Sequence, residues 1–474
     1  MEIIGRQSEI SELEKLYAGN RPEFVVLYGR RRVGKTFLMN EVFRGKETFS
    51  HTALSTIELG GKDLLAKQLQ HFTHSLIRYG AEFESAPQNW LDAFFILEQF
   101  LEKKAAKGER LLVCIDELPW LDTPRSGFVT AFEAFWNGWG AKREDFMLIV
   151  CGSAVSWVSD NLLNGKGGLY DRVTVEIKLE PFTLRECEEF FRSRNVRLDR
   201  YDIIQAYMIF GGIPYYLNLF TAGKSLAQNV DALIFNGKGK LTNEYDRLFG
   251  AIFKNAENAE KVIKFLSSKR IGYTREEILK ATEIGNGGEF TKLLRALEES
   301  DFIARFRYFT EPKKCTRYRL IDNFCLFHNY FIGKKGTDDT EYWQHQQNSP
   351  SVNSWRGFAF ENVCFQHIRQ IKSALGISGV HTETFSWMGR DSQVDLLIER
   401  ADRLINLCEC KFSSKDFLID KEYDCKLRVR QASFMEETGT RCATIMTLIT
   451  PFGLKLNEYS GRFQSIVTAA ELFA

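Results

Sequence analysis

Three sets of residues in this chain of 474 residues have types and spacings that could do chemistry. The first is Gly29-Arg30-Arg31-Arg32-Val33-Gly34-Lys35-Thr36, directly after the apolar run Phe24-Val25-Val26-Leu27-Tyr28. It fits the phosphate-loop pattern G-x-x-x-x-G-K-[ST] and sits between a buried strand and a helix, where that pattern belongs. Gly29 and Gly34 let the backbone curl so that successive N–H groups point at an anion. The helix beginning near Lys35 adds its positive N-terminal end. Lys35 would reach the β- and γ-phosphates of a nucleoside triphosphate, and the Thr36 hydroxyl would ligate Mg²⁺.

The second set lies on two further apolar runs. Leu111-Leu112-Val113-Cys114-Ile115 ends in Asp116-Glu117, and Phe146-Met147-Leu148-Ile149-Val150-Cys151 ends in Gly152-Ser153. Ligands of an open parallel sheet sit at such C-terminal strand tips. Asp116 is placed to hold Mg²⁺, Glu117 to orient or deprotonate the attacking water, and Ser153 to sense the γ-phosphate.

The third set is Asp395, Glu409 and Lys411, on two runs (Ser392–Glu399 and Leu404–Phe412) joined by a short turn. Alternation puts Glu409 and Lys411 on one strand face, and hairpin pairing brings Asp395 beside them. Two carboxylates holding Mg²⁺ or Mn²⁺, with a lysine to orient the nucleophile, suit phosphodiester hydrolysis. Glu361 on an upstream helix and Gln431 on a downstream segment add polar groups.

The intervening elements must position these sets. Amphipathic segments at Asp63–Tyr79, Asn89–Lys104 and Phe128–Trp139 supply the crossovers of a doubly wound parallel α/β sheet. Three helical segments (Ala259–Ser268, Thr274–Thr282, Gly288–Ser300) and a strand pair (Phe302–Tyr308, Thr316–Ile321) follow in winged-helix order, with Thr274 as a cap. The third of those helices mixes Lys292 and Arg295 with Glu289, Glu298 and Glu299. The wing is more basic, through Arg305, Arg307, Lys313, Lys314, Arg317 and Arg319. Such a module serves either as a DNA reader or as an interdomain or protein-binding spacer. Residues 334–352, starting Lys334-Lys335-Gly336, are polar and aperiodic and read as a linker.

Composition limits the alternatives. Lysine plus arginine (63) nearly balances aspartate plus glutamate (62), so nucleic-acid contact must come from a local patch. No apolar run reaches the ~20 residues that span a bilayer, and the first residues lack a signal peptide. Ten scattered cysteines and seven histidines show neither a disulfide framework nor zinc-ligand pairs. Cys114, Cys151, Cys408 and Cys410 read as small core hydrophobes. The cytoplasm is the expected compartment.

Over residues 1–335 the chain resembles the archaeal-type AAA+/STAND-like P-loop ATPases. The resemblance is carried by the phosphate loop, by the opening motif Gly5-Arg6-Gln7-Ser8-Glu9-Ile10, and by Leu169-Tyr170-Asp171-Arg172. Leu179-Glu180-Pro181-Phe182 and Gly211-Gly212-Ile213-Pro214 add to it. It implies ATP as the nucleotide, Mg²⁺ as cofactor, a homo-oligomer, and Arg172 as an arginine finger offered to a neighbouring subunit. Asp171 replaces the family's glycine. Arg30-Arg31-Arg32 then reads as surface charge typical of the family. Over residues 353–474, Glu361, Asp395, Glu409, Lys411 and Gln431 resemble the PD-(D/E)XK nuclease fold, with Val394 where proline is usual.

The implied organisation is an ATPase core at 1–182, a helical lid at 183–250, a winged helix and following segment at 251–333, the linker, and a restriction-endonuclease-like α/β domain at 353–474. The implied function is an ATPase governing a Mg²⁺-dependent nuclease that acts on DNA. Its rivals are an ATP-gated switch whose last domain only binds nucleic acid or a protein, and a chaperone-like ATPase.

Overall fold

Runs that are apolar on both faces become the centre of a parallel sheet, because only there are both faces covered. In the computed structural model these runs belong to five strands: β1 (Glu23–Tyr28), β2 (Phe49–Thr52), β3 (Leu111–Asp116), β4 (Phe146–Gly152) and β5 (Val175–Lys178). Residues 3–55, 63–105, 108–164, 168–250, 252–253, 255–268, 272–312, 315–332 and 339–474 are described. Lys313, Lys314 and the Lys334-Lys335-Gly336 start of the expected linker lie outside them. Two units divide the chain: Met1–Pro181 with Leu248–Ala256 and Lys292–Ser300, and Phe182–Arg247 with Glu257–Thr291 and Asp301–Ala474.

The first unit's sheet has the order β2-β3-β4-β1-β5, and every neighbouring pair is parallel. All strand tips therefore end on one edge, bringing the residues after β1, β3 and β4 together. Helices Leu64–Arg78, Trp90–Ala105 and Phe128–Gly138 match the expected crossovers to within one residue at each end. Their apolar stripes close an aromatic core, with Phe24 and Trp136 ring centroids 5.0 Å apart and Phe94 stacked on Phe135 at 5.2 Å. Such pairs contribute about 0.5–1.5 kcal/mol each beyond area burial.

In the second unit, helix Leu184–Ser193 starts at a Thr183–Glu186 capping box, and Pro214 opens helix Pro214–Leu217, a position where its missing N–H costs nothing. Thr274 caps helix Arg275–Thr282 in a box with Glu277, as its type predicts. Strands β6 (Tyr273–Thr274), β7 (Ile303–Phe306) and β8 (Arg317–Leu320) form a small antiparallel sheet in the order β6-β8-β7. A larger mixed sheet follows, built from β9 (Thr382–Met388), β10 (Gln393–Arg400), β11 (Leu404–Cys410), β12 (Ala443–Ile449) and β13 (Ser465–Val467). Its order is β13-β12-β11-β10-β9. Strands β9, β10 and β11 pair antiparallel, and β11, β12 and β13 pair parallel. Helix Lys421–Thr438 makes the β11–β12 crossover. Strand β10 carries an extra residue between Val394 and Leu397 against β9.

Residues 339–352 are the described part of the stretch expected to be a linker. It holds helix Tyr342–Gln346, with Trp343 buried. The Asp231 carboxylate accepts hydrogen bonds from the Trp343 and Gln344 amides at 2.7 and 3.1 Å. One tryptophan in a polar, aperiodic segment anchors it. Among the described residues no helix is long and apolar enough to cross a membrane, and all ten cysteines are free.

Candidate functional site

The phosphate loop joins β1 to helix Lys35–Val42. Gly29 has φ 142°, and a Cβ there would lie 2.4 Å from the Leu179 carbonyl oxygen, so both backbone and space demand glycine. Gly34, at φ 97°, caps the helix, and a Cβ there would meet nothing within 4 Å. Arg32 is also left-handed, at φ 74°. The Lys35 ammonium donates to the carbonyls of Gly29 at 2.9 Å and Arg30 at 3.0 Å. Burial pushes its pKa down, while the negative charge of Glu117 pushes it back up. The arginine run departs from expectation: Arg30 is buried at 3% exposure, and Arg31 and Arg32 are half-buried. A loop wrapped against its own sheet leaves little open surface for three consecutive side chains.

The strand tips complete the site. The Thr36 hydroxyl donates to Asp116 Oδ2 at 2.9 Å, across 80 residues of sequence. Asp116 Oδ1 accepts from the Glu117 amide at 3.0 Å and from the Cys151 thiol at 3.1 Å. Glu117 stands in the left-handed region at φ 51°, which turns its side chain toward β4. There the Ser153 amide donates to Glu117 Oε2 at 3.0 Å, and the Ser153 hydroxyl lies 3.0 and 2.9 Å from the two carboxylate oxygens. Burial raises the Glu117 pKa; Lys35 works against that rise, Asp116 adds to it, and the Ser153 hydrogen bonds oppose it. Burial, then the charge of Asp116, lifts the Cys151 thiol well above its ordinary value. Gly29, Gly34, Lys35, Thr36, Asp116, Glu117 and Ser153 thus lie along one sheet edge. A hydroxyl and a carboxylate meeting at 2.9 Å are hard oxygen donors of the kind Mg²⁺ takes.

Two features around the loop were not read from the sequence. Arg6 of the opening motif donates to the Glu180 carbonyl, and the Leu179 amide donates to the Tyr28 carbonyl at 2.7 Å. The two motifs thus flank the loop's root. Cys151, read as a core hydrophobe, bonds the acid at the tip of β3. Arg172 is exposed, and its amide donates to Leu169 O at 3.1 Å. Asp171 takes φ 55°, which explains how it stands in for glycine: aspartate is one of the few residues that visit this region routinely.

The C-terminal set assembles differently from its expected form. Glu409 is buried and accepts hydrogen bonds from Tyr423 and Arg430 of helix Lys421–Thr438, with Lys411 Nζ 2.8 Å away. Burial pushes its pKa up, but Lys411 and Arg430 prevail and hold it below the usual carboxylate range. Asp395 instead accepts from Gln393 at 3.2 Å and lines a cavity with Glu361 and Phe365 of helix Pro350–Gln366 and with Arg319 of β8. The Arg319 guanidinium stacks on the Phe365 ring at 3.3 Å. Gln431 donates to Thr444 at 2.8 Å.

β10 and β11 pair regularly up to Leu396 opposite Cys408, the pair next to Asp395 and Glu409, and the extra residue of β10 lies against β9. The two acids have different neighbours: Asp395 lines the cavity with Glu361 and Arg319, and Glu409 bonds Tyr423, Arg430 and Lys411. Among the described residues, no group of three or more histidine, cysteine, aspartate and glutamate side chains could hold a metal ion. Glu409 and Lys411 do share a face, as alternation requires, and Cys408 and Cys410 are buried.

Parallel sheet, glycine-rich loop and tip carboxylates together define an α/β P-loop domain. Residues 3–220 match the model of a family described as an ATPase domain predominantly from Archaea, so this part of the chain carries an archaeal-type ATPase domain. An uncharacterized protein of Methanocaldococcus jannaschii is 24% identical over 398 residues, covering 83% of this chain and 84% of the relative. An uncharacterized ATP-binding protein of the same organism is 39% identical over 45 residues, covering 10% of this chain and 76% of the relative. Among solved structures, a Walker-type ATPase of Pyrococcus abyssi aligns at 19% identity and a TM-score of 0.45, covering 69% of this chain and 96% of its own. The ORC2 protein of Aeropyrum pernix, solved as ADPNP and ADP complexes, aligns at 14% identity and a TM-score of 0.41, covering 69% and 93%.

Proposed function

We propose that this protein binds and hydrolyses ATP at the β1–β3–β4 edge. The observation that carries this reading is the Thr36–Asp116 hydrogen bond at 2.9 Å, which joins the phosphate loop to the acid at the tip of β3. Thr36 and Asp116 would hold Mg²⁺, which when bound would offset the charge of the phosphates. Lys35 leaves the Gly29 and Arg30 carbonyls for the β- and γ-phosphates. The Ser153 hydroxyl turns from Glu117 to the γ-phosphate, and an oxygen of Glu117 then accepts the proton of the attacking water. Arg172, exposed on its turn, suits a finger offered to a second copy of the chain. The test is Mg²⁺-dependent phosphate release with fluorescent-nucleotide binding. Lys35→Ala should abolish turnover, and a Lys35→Ala protein as active as wild type would overturn the reading.

For the rest of the chain we propose an output that binds rather than cuts. Helices at Ala256–Leu266, Arg275–Thr282 and Gly288–Glu299, followed by β7 and β8, support a winged-helix reading of 251–333. The mixed sheet with its β11–β12 crossover helix supports a restriction-endonuclease-like reading of 353–474. Glu409, however, is committed to Lys411, Tyr423 and Arg430, and a guanidinium shares the Asp395–Glu361 cavity. These pairings favour binding of DNA or a protein partner without cleavage. Salt-sensitive DNA binding without nicking of plasmid in Mn²⁺ is the expected result. Cleavage lost in both Asp395→Ala and Glu409→Ala would restore the nuclease reading.

A further inference from the structure

Among the described residues the Asp116 carboxylate accepts three hydrogen bonds, and they are not equivalent. The Glu117 amide at 3.0 Å belongs to the backbone and reaches Oδ1. The Thr36 hydroxyl at 2.9 Å reaches Oδ2, but Thr36 is itself a cation-holding group in the reading above. Once its oxygen faces a cation, its proton is no longer committed to Asp116. Among the described residues, the donor left from a side chain is the Cys151 thiol, 3.1 Å from Oδ1.

Cys151 is well placed for this task. Ile115 pairs with Val150 in the parallel β3–β4 register, so Cys151 follows at the next position beside Asp116. It is 1% exposed, and Met39 Sδ, from the helix after the loop, backs its sulfur at 3.7 Å. A thiol has one proton. A charged carboxylate oxygen at 3.1 Å is a better acceptor than a thioether at 3.7 Å, so the proton points at Asp116 and Met39 acts as a wall behind it.

We infer that Cys151 is a positioning residue for Asp116: its thiol fixes the carboxylate with Oδ2 turned toward Thr36 and thereby sets the affinity of the nucleotide site for a divalent cation. The inference rests on the reading of Asp116 as a cation-holding residue. Partners that orient a metal-holding carboxylate influence metal affinity strongly, by about 10- to 100-fold when removed.

The experiment is a Mn²⁺ titration of the full-length chain with ADP, followed by electron paramagnetic resonance. Cys151→Ala, which removes the donor, should weaken Mn²⁺ by about tenfold. Cys151→Ser, which keeps a donor, should stay close to wild type. In Mg²⁺-ATP turnover the Ala variant should need more Mg²⁺ while its rate at saturating Mg²⁺ recovers. Should Cys151→Ala fold poorly, Cys151→Val preserves volume without a donor and carries the same expectation. Wild-type Mn²⁺ affinity in the Ala or Val variant would overturn the inference, as would a Ser variant as weak as Ala. Asp116→Asn separates the two levels. If it loses Mn²⁺ while Cys151→Ala does not, only the positioning role fails; if it keeps Mn²⁺, the reading of Asp116 fails as well.

Discussion

Ser153 holds Glu117 by both carboxylate oxygens, through its amide at 3.0 Å and its hydroxyl at 3.0 and 2.9 Å. The residue proposed to take a proton is thus gripped by the residue proposed to sense the γ-phosphate. These hydrogen bonds favour the charged carboxylate and oppose the rise that burial causes. Ser153→Ala removes the hydroxyl and should raise the Glu117 pKa further. A base works only when deprotonated, so activity falls as pH drops through that pKa. The acid limb of the kcat/KM profile, which reports the nucleotide-free site, should therefore move to higher pH in Ser153→Ala. An unmoved limb would mean that Glu117 is not the titrating base.

Gly29 and Gly34 make a matched test of the loop. Both are left-handed, at φ 142° and 97°, but only Gly29 has a backbone oxygen where a Cβ would go. Gly34→Ala adds dihedral strain alone and should cost about 1–2 kcal/mol. Gly29→Ala adds overpacking to the strain and should cost about 2–5 kcal/mol, with loss of nucleotide binding. Chemical denaturation of both variants checks the order. Equal costs would show that the Leu179 carbonyl gives way.

Asp171 offers a smaller version of the same argument on an exposed turn. Its φ of 55° suits glycine or aspartate and penalises a β-branched residue. Asp171→Val should lower stability by about 1–2 kcal/mol, whereas Asp171→Gly should not. Thermal unfolding distinguishes them.

What was legible in the sequence follows from the range of the interactions involved. Asp116, Glu117 and Ser153 were legible because each directly follows a run of residues buried on both faces, and parallel strands must then share an edge. Crossover helices came within one residue of their ends because periodicity and caps are local. The extra residue of β10 against β9 was not legible, because nothing in Ser392–Glu399 marks a bulge. The arginines after Gly29 read as surface because burial of a guanidinium depends on how the loop folds back, which no short window shows. Arg6 reaching Glu180 and Cys151 reaching Asp116 join residues 174 and 35 apart, and neither residue type announces its partner.

Glu409 provides a test in which the sign of a pH effect decides what the C-terminal cluster is. Burial raises its pKa, but Lys411 and Arg430 outweigh burial, so the folded value lies below the ordinary carboxylate range. A carboxylate depressed in the folded state contributes stability that is fully present above its unfolded pKa, ~4.3, and is lost as pH falls through the folded pKa. Glu409→Gln leaves two cations facing a neutral amide and should cost about 2–4 kcal/mol at neutral pH, less than for a fully enclosed pair, since the Lys411 side chain stays 37% exposed. The gap between wild type and Glu409→Gln should close as pH drops below ~4, because wild type then loses the same charge. Denaturant unfolding from pH 7 to pH 3 measures it. A Glu409→Gln protein more stable than wild type at pH 7 would mean that the acid is held at a cost to the fold, as a functional metal ligand would be.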